Sequence, residues 1–257
     1  EVVSIHEFDD DQVVKELPNI VLILDMSRSM NLNDRITALR RLLDHIVNDL
    51  PLRPQLAGTG ERLIDNANIG VVFFDRQEFT AMRIPITAPG VNIAGTTETV
   101  TERIKRMMQL DNLGTIRVET LLGALGQNNG IGGTNYDEAF RVASDLFDNA
   151  IGGGDRFTIM ITDGEPRTDS NLNDDTAVAQ VAAQTRFTNE LSPVVDNAYM
   201  LFLGDAVFLP FAETVSGPVA DSLTSVFELN DLEDYFNKFE FYFQCWSGPL
   251  NPRLVLG

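Results

Sequence analysis

Residues Asn19–Asp25 read NIVLILD, and the polar stretch Met26–Asp34 (MSRSMNLND) follows directly. An unbroken run of branched apolar side chains that ends on a carboxylate predicts a central parallel strand buried on both faces, because a half-exposed strand would alternate apolar with polar. Beyond the polar stretch, Ile36, Leu39, Leu42, Leu43, Ile46, Val47 and Leu50 recur at helical spacing. Pro51 then ends the pattern, since it has no backbone N–H to continue a helix. Strand, polar loop and helix in that order open an α/β unit.

The same unit recurs along the chain. Asn68–Asp75 (NIGVVFFD) predicts a second strand, and Thr80–Thr87, with its alternating pattern, an edge strand. Two more strands are expected over Phe157–Thr162 and Ala198–Gly204. Helical spacing predicts helices over Tyr136–Phe147, Thr176–Leu191 and Asp231–Phe239. In the first of these Tyr136, Phe140, Ala143 and Phe147 share a face, and Asp137 and Glu138 occupy the first turn, where the helix dipole favours acids. The fold class expected is α/β: a doubly wound, mostly parallel sheet with one antiparallel edge strand and helices on both faces. Residues 88–130 keep this rhythm poorly and read as an elaborated helical insertion, with helices near Thr97–Met108 and Arg117–Leu125.

The core domain is expected over 19–240. Residues 1–18 form an N-terminal flanking segment, and residues 241–257 a C-terminal flanking strand or the stub of a neighbouring domain. Phe239, Phe241 and Phe243 alternate with Glu240, Tyr242 and Gln244, and Val2–Phe8 can also extend, so the two flanks either pair or are plain terminal trimmings.

The chain has 257 residues, 44% of them apolar, which is enough for a sizeable core. Its net charge of −19 disfavours nucleic acid and anionic membrane surfaces as partners, because both would repel it. Cys245 is the only cysteine, so neither an intrachain disulfide nor a cysteine-based zinc site can form. The longest apolar runs fall far short of the roughly 20 residues that cross a bilayer. A first residue of Glu1 fits a processed product or an excised piece, which leaves the question of a signal peptide open.

In open parallel sheets, ligands collect at the carboxyl ends of strands beside the topological switch point. Three oxygen-bearing clusters fall at such ends: Asp25, Ser27 and Ser29 after the first strand, Thr134 in a glycine-rich loop before a helix, and Asp163 after Phe157–Thr162. A small hard cation such as Mg²⁺ takes about six oxygen ligands at roughly 2.0–2.1 Å. Hydroxyls that bind it directly, with the carboxylates holding water, would leave the ion electron-poor and receptive to a carboxylate from outside.

These clusters carry a resemblance. Asp25-Met26-Ser27-Arg28-Ser29 fits D-x-S-x-S, Gly132-Gly133-Thr134-Asn135 a threonine loop, and Thr162-Asp163-Gly164 an aspartate turn. In this order they resemble the metal-ion-dependent adhesion site of von Willebrand factor type A domains, over roughly Asn19–Phe239. The resemblance implies a Rossmann-like sheet and a divalent ion, Mg²⁺ or else Mn²⁺ or Ca²⁺. Ser27, Ser29 and, in the ligand-bound arrangement, Thr134 would contact it, with Asp25 and Asp163 acting largely through water and an acidic side chain of a partner as the last ligand. It also implies that the helix near Asp231–Phe239 can shift on ligand engagement. Arg28 stands where the family often has glycine; it either points to solvent or helps hold the acidic ligand. Gly164-Glu165-Pro166 resembles the bacterial surface and pilus-tip versions, which implies an exported bacterial protein.

Other features carry less. His6 and His45 lie far apart, and Ser216 and Ser247 lack the G-x-S-x-G context of a nucleophile elbow. The glycine runs match no phosphate-binding pattern. Asp169, Asn171 and Asn173 begin like a calcium loop but lack its glycine and closing glutamate, and Cys245 beside Trp246 reads as a structural cysteine.

The expected function is a non-enzymatic, metal-dependent adhesion module at the cell surface that binds a protein or matrix carboxylate, within a larger multidomain protein. The alternative is an intracellular assembly module that docks an acidic loop of an ATPase partner. A phosphohydrolase with Asp25 as nucleophile is disfavoured, since Ser27 stands where a second aspartate would serve as acid and base.

Overall fold

The computed structural model describes residues 16–31, 35–49, 62–75, 82–110, 134–164, 176–203 and 223–225. The strands are β1 (Asn19–Asp25), β2 (Asn68–Phe74), β3 (Met82–Thr87), β4 (Arg156–Thr162), β5 (Asn197–Phe202) and β6 (Leu223–Ser225). They form one sheet in the order β3-β2-β1-β4-β5-β6. All neighbours are parallel except β2 and β3, so the predicted edge strand is the antiparallel one. The chain leaves β1 towards β2 and β3, then returns to lay β4 on the other side of β1. The switch point therefore lies between the carboxyl ends of β1 and β4.

Alternation along the strands divides the core. Ile20, Leu22 and Leu24 of β1 join Ile69, Val71 and Phe73 of β2 and Phe157, Ile159 and Ile161 of β4 in one apolar layer. Helices α1 (Arg35–Asn48) and α2 (Val100–Met108) cover it. Val21, Ile23, Val72, Met160, Met200 and Phe202 face the other way, against α3 (Tyr136–Phe147) and α4 (Thr176–Arg186). A central strand whose seven residues are all buried thus fills both layers.

Local chemistry sets the helix ends. Thr99 and Glu102 form a reciprocal capping box at the start of α2. Arg40 of α1 donates to the carbonyls of Met108 (2.9 Å) and Gln109 (2.8 Å), which satisfies the last turn of α2 and docks it on the core. The helix expected over Thr176–Leu191 keeps α geometry to Arg186 and closes in a π turn over Phe187–Leu191 that buries both of those residues. Strand β6 was not evident in the sequence, because three residues carry too little periodicity to read. The expected helices over Arg117–Leu125 and Asp231–Phe239 and both expected flanking strands lie outside the described residues. No helix among the described residues is long and apolar enough to cross a membrane.

Candidate metal centre

The site begins where β1 runs out. Asp25 is fully buried, and the amide of Met26 still donates to Phe74 O at 2.8 Å, which carries the ladder one residue past the strand. The chain then turns on Asp25 itself, whose Oδ1 accepts from the amide of Ser27 at 2.7 Å. That turn leads into a 3-10 helical segment, Arg28–Asn31, and brings Ser27 Oγ and Ser29 Oγ within 3.0 Å of each other. Two serines spaced by one residue can meet only because the backbone between them curls back, and the Asp25 side chain holds the curl.

Strand β4 supplies the opposite wall. Asp163, also fully buried, directly follows it and accepts at Oδ1 from Ser29 Oγ at 2.8 Å. The preceding Thr162 donates to Asp25 Oδ2 at 2.6 Å, so the two neighbouring strand ends are tied across the switch point. Tyr136, at the start of α3, places its hydroxyl 2.8 Å from Thr162 Oγ1 and donates to Gly164 O at 2.5 Å.

The third wall is the α3 loop. The amide of Asn135 donates to Asp75 O at 2.6 Å, which pins this loop to the end of β2, and the Asn135 side chain caps α3 by accepting from Glu138 N at 3.1 Å. Thr134, 5% exposed, borders the crevice: a methyl group on Gly164 would lie 3.7 Å from Ser29 Oγ and 3.8 Å from Thr134 Oγ1. Asp25, Ser27, Ser29 and Asp163 are thus joined by hydrogen bonds, and Thr134 stands beside them. Gly132, Gly133, Glu165, Pro166 and the Arg28 side chain lie outside the described residues.

Two residues at the site were not singled out in the sequence as members, Tyr136 and Arg35, and Thr162 was named in the aspartate turn without a role of its own. Arg35 Nη1 lies 2.8 Å from Asp163 Oδ2, with side-chain exposures of 8% and 0%. Its position carried a signal, since a cation in the first turn of a helix opposes the dipole and must find its partner elsewhere.

Burial governs the charges. It pushes the Asp25 carboxyl up to about 7, with the Asp163 charge adding to the rise and the Thr162 and Ser27 hydrogen bonds opposing it. Burial likewise raises Asp163, against the pull of Arg35 and Ser29. Two carboxylates held in a dry crevice with this penalty would be relieved by a cation.

The donor set suits a hard ion. Among the described residues no group of three or more His, Cys, Asp or Glu side chains comes together, and the oxygens gathered here are those of two carboxylates and the hydroxyls beside them. Cis ligands of an octahedral ion with bonds of about 2.1 Å sit about 3.0 Å apart. Ser27 Oγ and Ser29 Oγ have that separation already.

No protein-family model and no curated protein matches the chain by sequence. Solved structures do resemble it. The pilus adhesin SpaC from Lactobacillus rhamnosus GG is similar over 91% of this chain and 31% of its own, with a TM-score of 0.54 and 16% identity. Manganese-loaded TRAP protein of Plasmodium vivax is similar over 88% and 74%, at 0.50 and 15%. A human COPII-coat protein is similar over 90% and 32%, at 0.50 and 11%. The chain spans about a third of the length of the pilus adhesin. With the sheet order, this likeness gives the chain a von Willebrand factor type A-like α/β fold.

Proposed function

We propose that the chain is an adhesion module that captures an acidic group of a protein or matrix partner through one divalent cation. The observation that carries this reading is the continuous set of oxygens from Ser27 through Ser29 to Asp163, assembled from two separate strand ends at the switch point with Thr134 beside it. Ser27, Ser29 and Thr134 would hold the ion directly. Asp25 and Asp163 would hold its waters, in keeping with the hydrogen bonds that already engage both oxygens of each. The ion would supply a Lewis-acidic position for the partner's carboxylate, and Mg²⁺ fits the donors best, with Mn²⁺ or Ca²⁺ as substitutes.

The chain's own residues do the rest. Asp25 fixes the serine turn, Tyr136 and Thr162 fix the aspartate turn, and the buried layers below hold both still. Binding rather than turnover is the role this reading gives the site, since Ser27 stands where a phosphohydrolase would carry its second aspartate. Residues 19–240 would form the binding domain of a larger, exported bacterial surface protein, a reading supported by the likeness to a pilus adhesin.

Titration calorimetry with Mg²⁺ and Mn²⁺ tests the metal, and retention on immobilised matrix proteins with and without EDTA tests the adhesion. Uptake of about one ion per chain by the natural protein and none by Asp163→Ala is expected. A folded natural protein that takes up no divalent ion removes the proposal.

A further inference from the structure

A metal site built on two buried carboxylates does not itself require a guanidinium, yet Arg35 lies directly against one of them. Its side chain is 8% exposed, and it reaches Asp163 from a helix turn where its charge is disfavoured. The two oxygens of Asp163 divide their work: Oδ1 accepts from Ser29 of the hydroxyl chain, and Oδ2 accepts from Arg35. The guanidinium therefore holds one oxygen of Asp163 while the other stays with the serines.

We infer that Arg35 sets the charge of the proposed metal site, lowering its grip on the cation and raising the pull of the loaded site on an anionic partner. This rests on the metal reading above. Arg35 leaves the site one charge less negative than its carboxylates alone would make it. A divalent ion meets repulsion from that fixed charge, while an incoming carboxylate feels the guanidinium and the metal together. Both effects follow from Coulomb's law at short range in a medium of reduced dielectric constant, and each is large enough to shift affinity by about tenfold.

A purely structural ion pair would behave differently. Removing one partner of a buried pair strands the other charge and loosens the site, so metal and carboxylate binding would weaken together. Charge setting predicts opposite signs. In Arg35→Gln, Mg²⁺ and Mn²⁺ should bind about tenfold more tightly by calorimetry at pH 8, while acetate should bind the Mn²⁺-loaded protein at least about threefold more weakly by water-proton relaxation. Arg35→Lys, which keeps the charge, should follow the natural protein in both. Arg35→Met, which keeps the aliphatic stem, replaces the glutamine form should that one fail to fold.

Tighter metal with weaker acetate supports the inference. Unchanged or weaker metal binding by a folded, neutral variant overturns it, as does undiminished acetate binding. Absence of metal uptake by the natural protein would instead remove the metal reading on which the inference stands, and the two failures are read from different samples.

Discussion

Replacing Asp25 with asparagine should stabilise the metal-free protein while destroying its capacity for metal. Asp25 Oδ1 accepts from Ser27 N and Oδ2 from the Thr162 hydroxyl, which in turn meets Tyr136. An asparagine keeps the first acceptor. Its amide donates where the carboxylate accepted, so the Thr162 hydroxyl turns to donate to Tyr136, and the Tyr136 hydroxyl still donates to Gly164 O. The contacts with Ser27 and Thr162 survive, the second with its direction reversed, and the buried charge is lost.

The magnitude follows from the carboxyl's rise from 3.8 to about 7. A raised native value means that the folded state holds a proton the unfolded state has released, so between pH 4 and 7 the natural protein loses stability as pH rises. The full shift corresponds to about 4 kcal/mol as a ceiling, which relaxation and water entry reduce to roughly 2 kcal/mol. Urea unfolding in EDTA at pH 4.5 and pH 8 should show Asp25→Asn ahead of the natural protein by clearly less at the lower pH and by about that amount at the higher. Its calorimetric Mg²⁺ signal should vanish. A variant less stable than the natural protein at pH 8 without metal would refute the burial argument, whatever happens to the metal.

Two further substitutions separate architecture from binding. Tyr136→Phe removes the bonds to Thr162 and Gly164 from a side chain 1% exposed, and should cost about 1–3 kcal/mol in urea unfolding and weaken Mg²⁺ binding by a few-fold, because the aspartate turn loses its brace. Gly164→Ala places a methyl group at ordinary contact distance from Ser29 Oγ and Thr134 Oγ1, so stability should stay within about 0.5 kcal/mol of the natural protein while calorimetry shows Mg²⁺ binding reduced by more than about tenfold.

What the sequence revealed and what it hid have the same physical origin. A buried parallel strand must be apolar on both faces, so NIVLILD, NIGVVFFD and RFTIMIT declare themselves, and a chain that must turn sharply at their ends leaves polar and glycine residues there. The carboxyl ends of β1 and β4 were therefore legible as places, and with them Asp25, Ser27, Ser29 and Asp163. Local pattern cannot report a contact between residues 128 apart, and the Arg35–Asp163 pair is of that kind. Helical spacing assigns Arg35 to a helix and says nothing of where its long, rotatable side chain will carry the charge. Tyr136 was hidden by its own apolar body: it belongs to the buried face of α3, packed edge-on to Phe74 at 5.8 Å, and the same burial delivers its hydroxyl to Thr162. Periodicity identifies a core residue, but not the polar end that a core aromatic presents to a site. The unread part of the centre thus consists of side chains with two characters, placed by their apolar portions and acting through the polar ones.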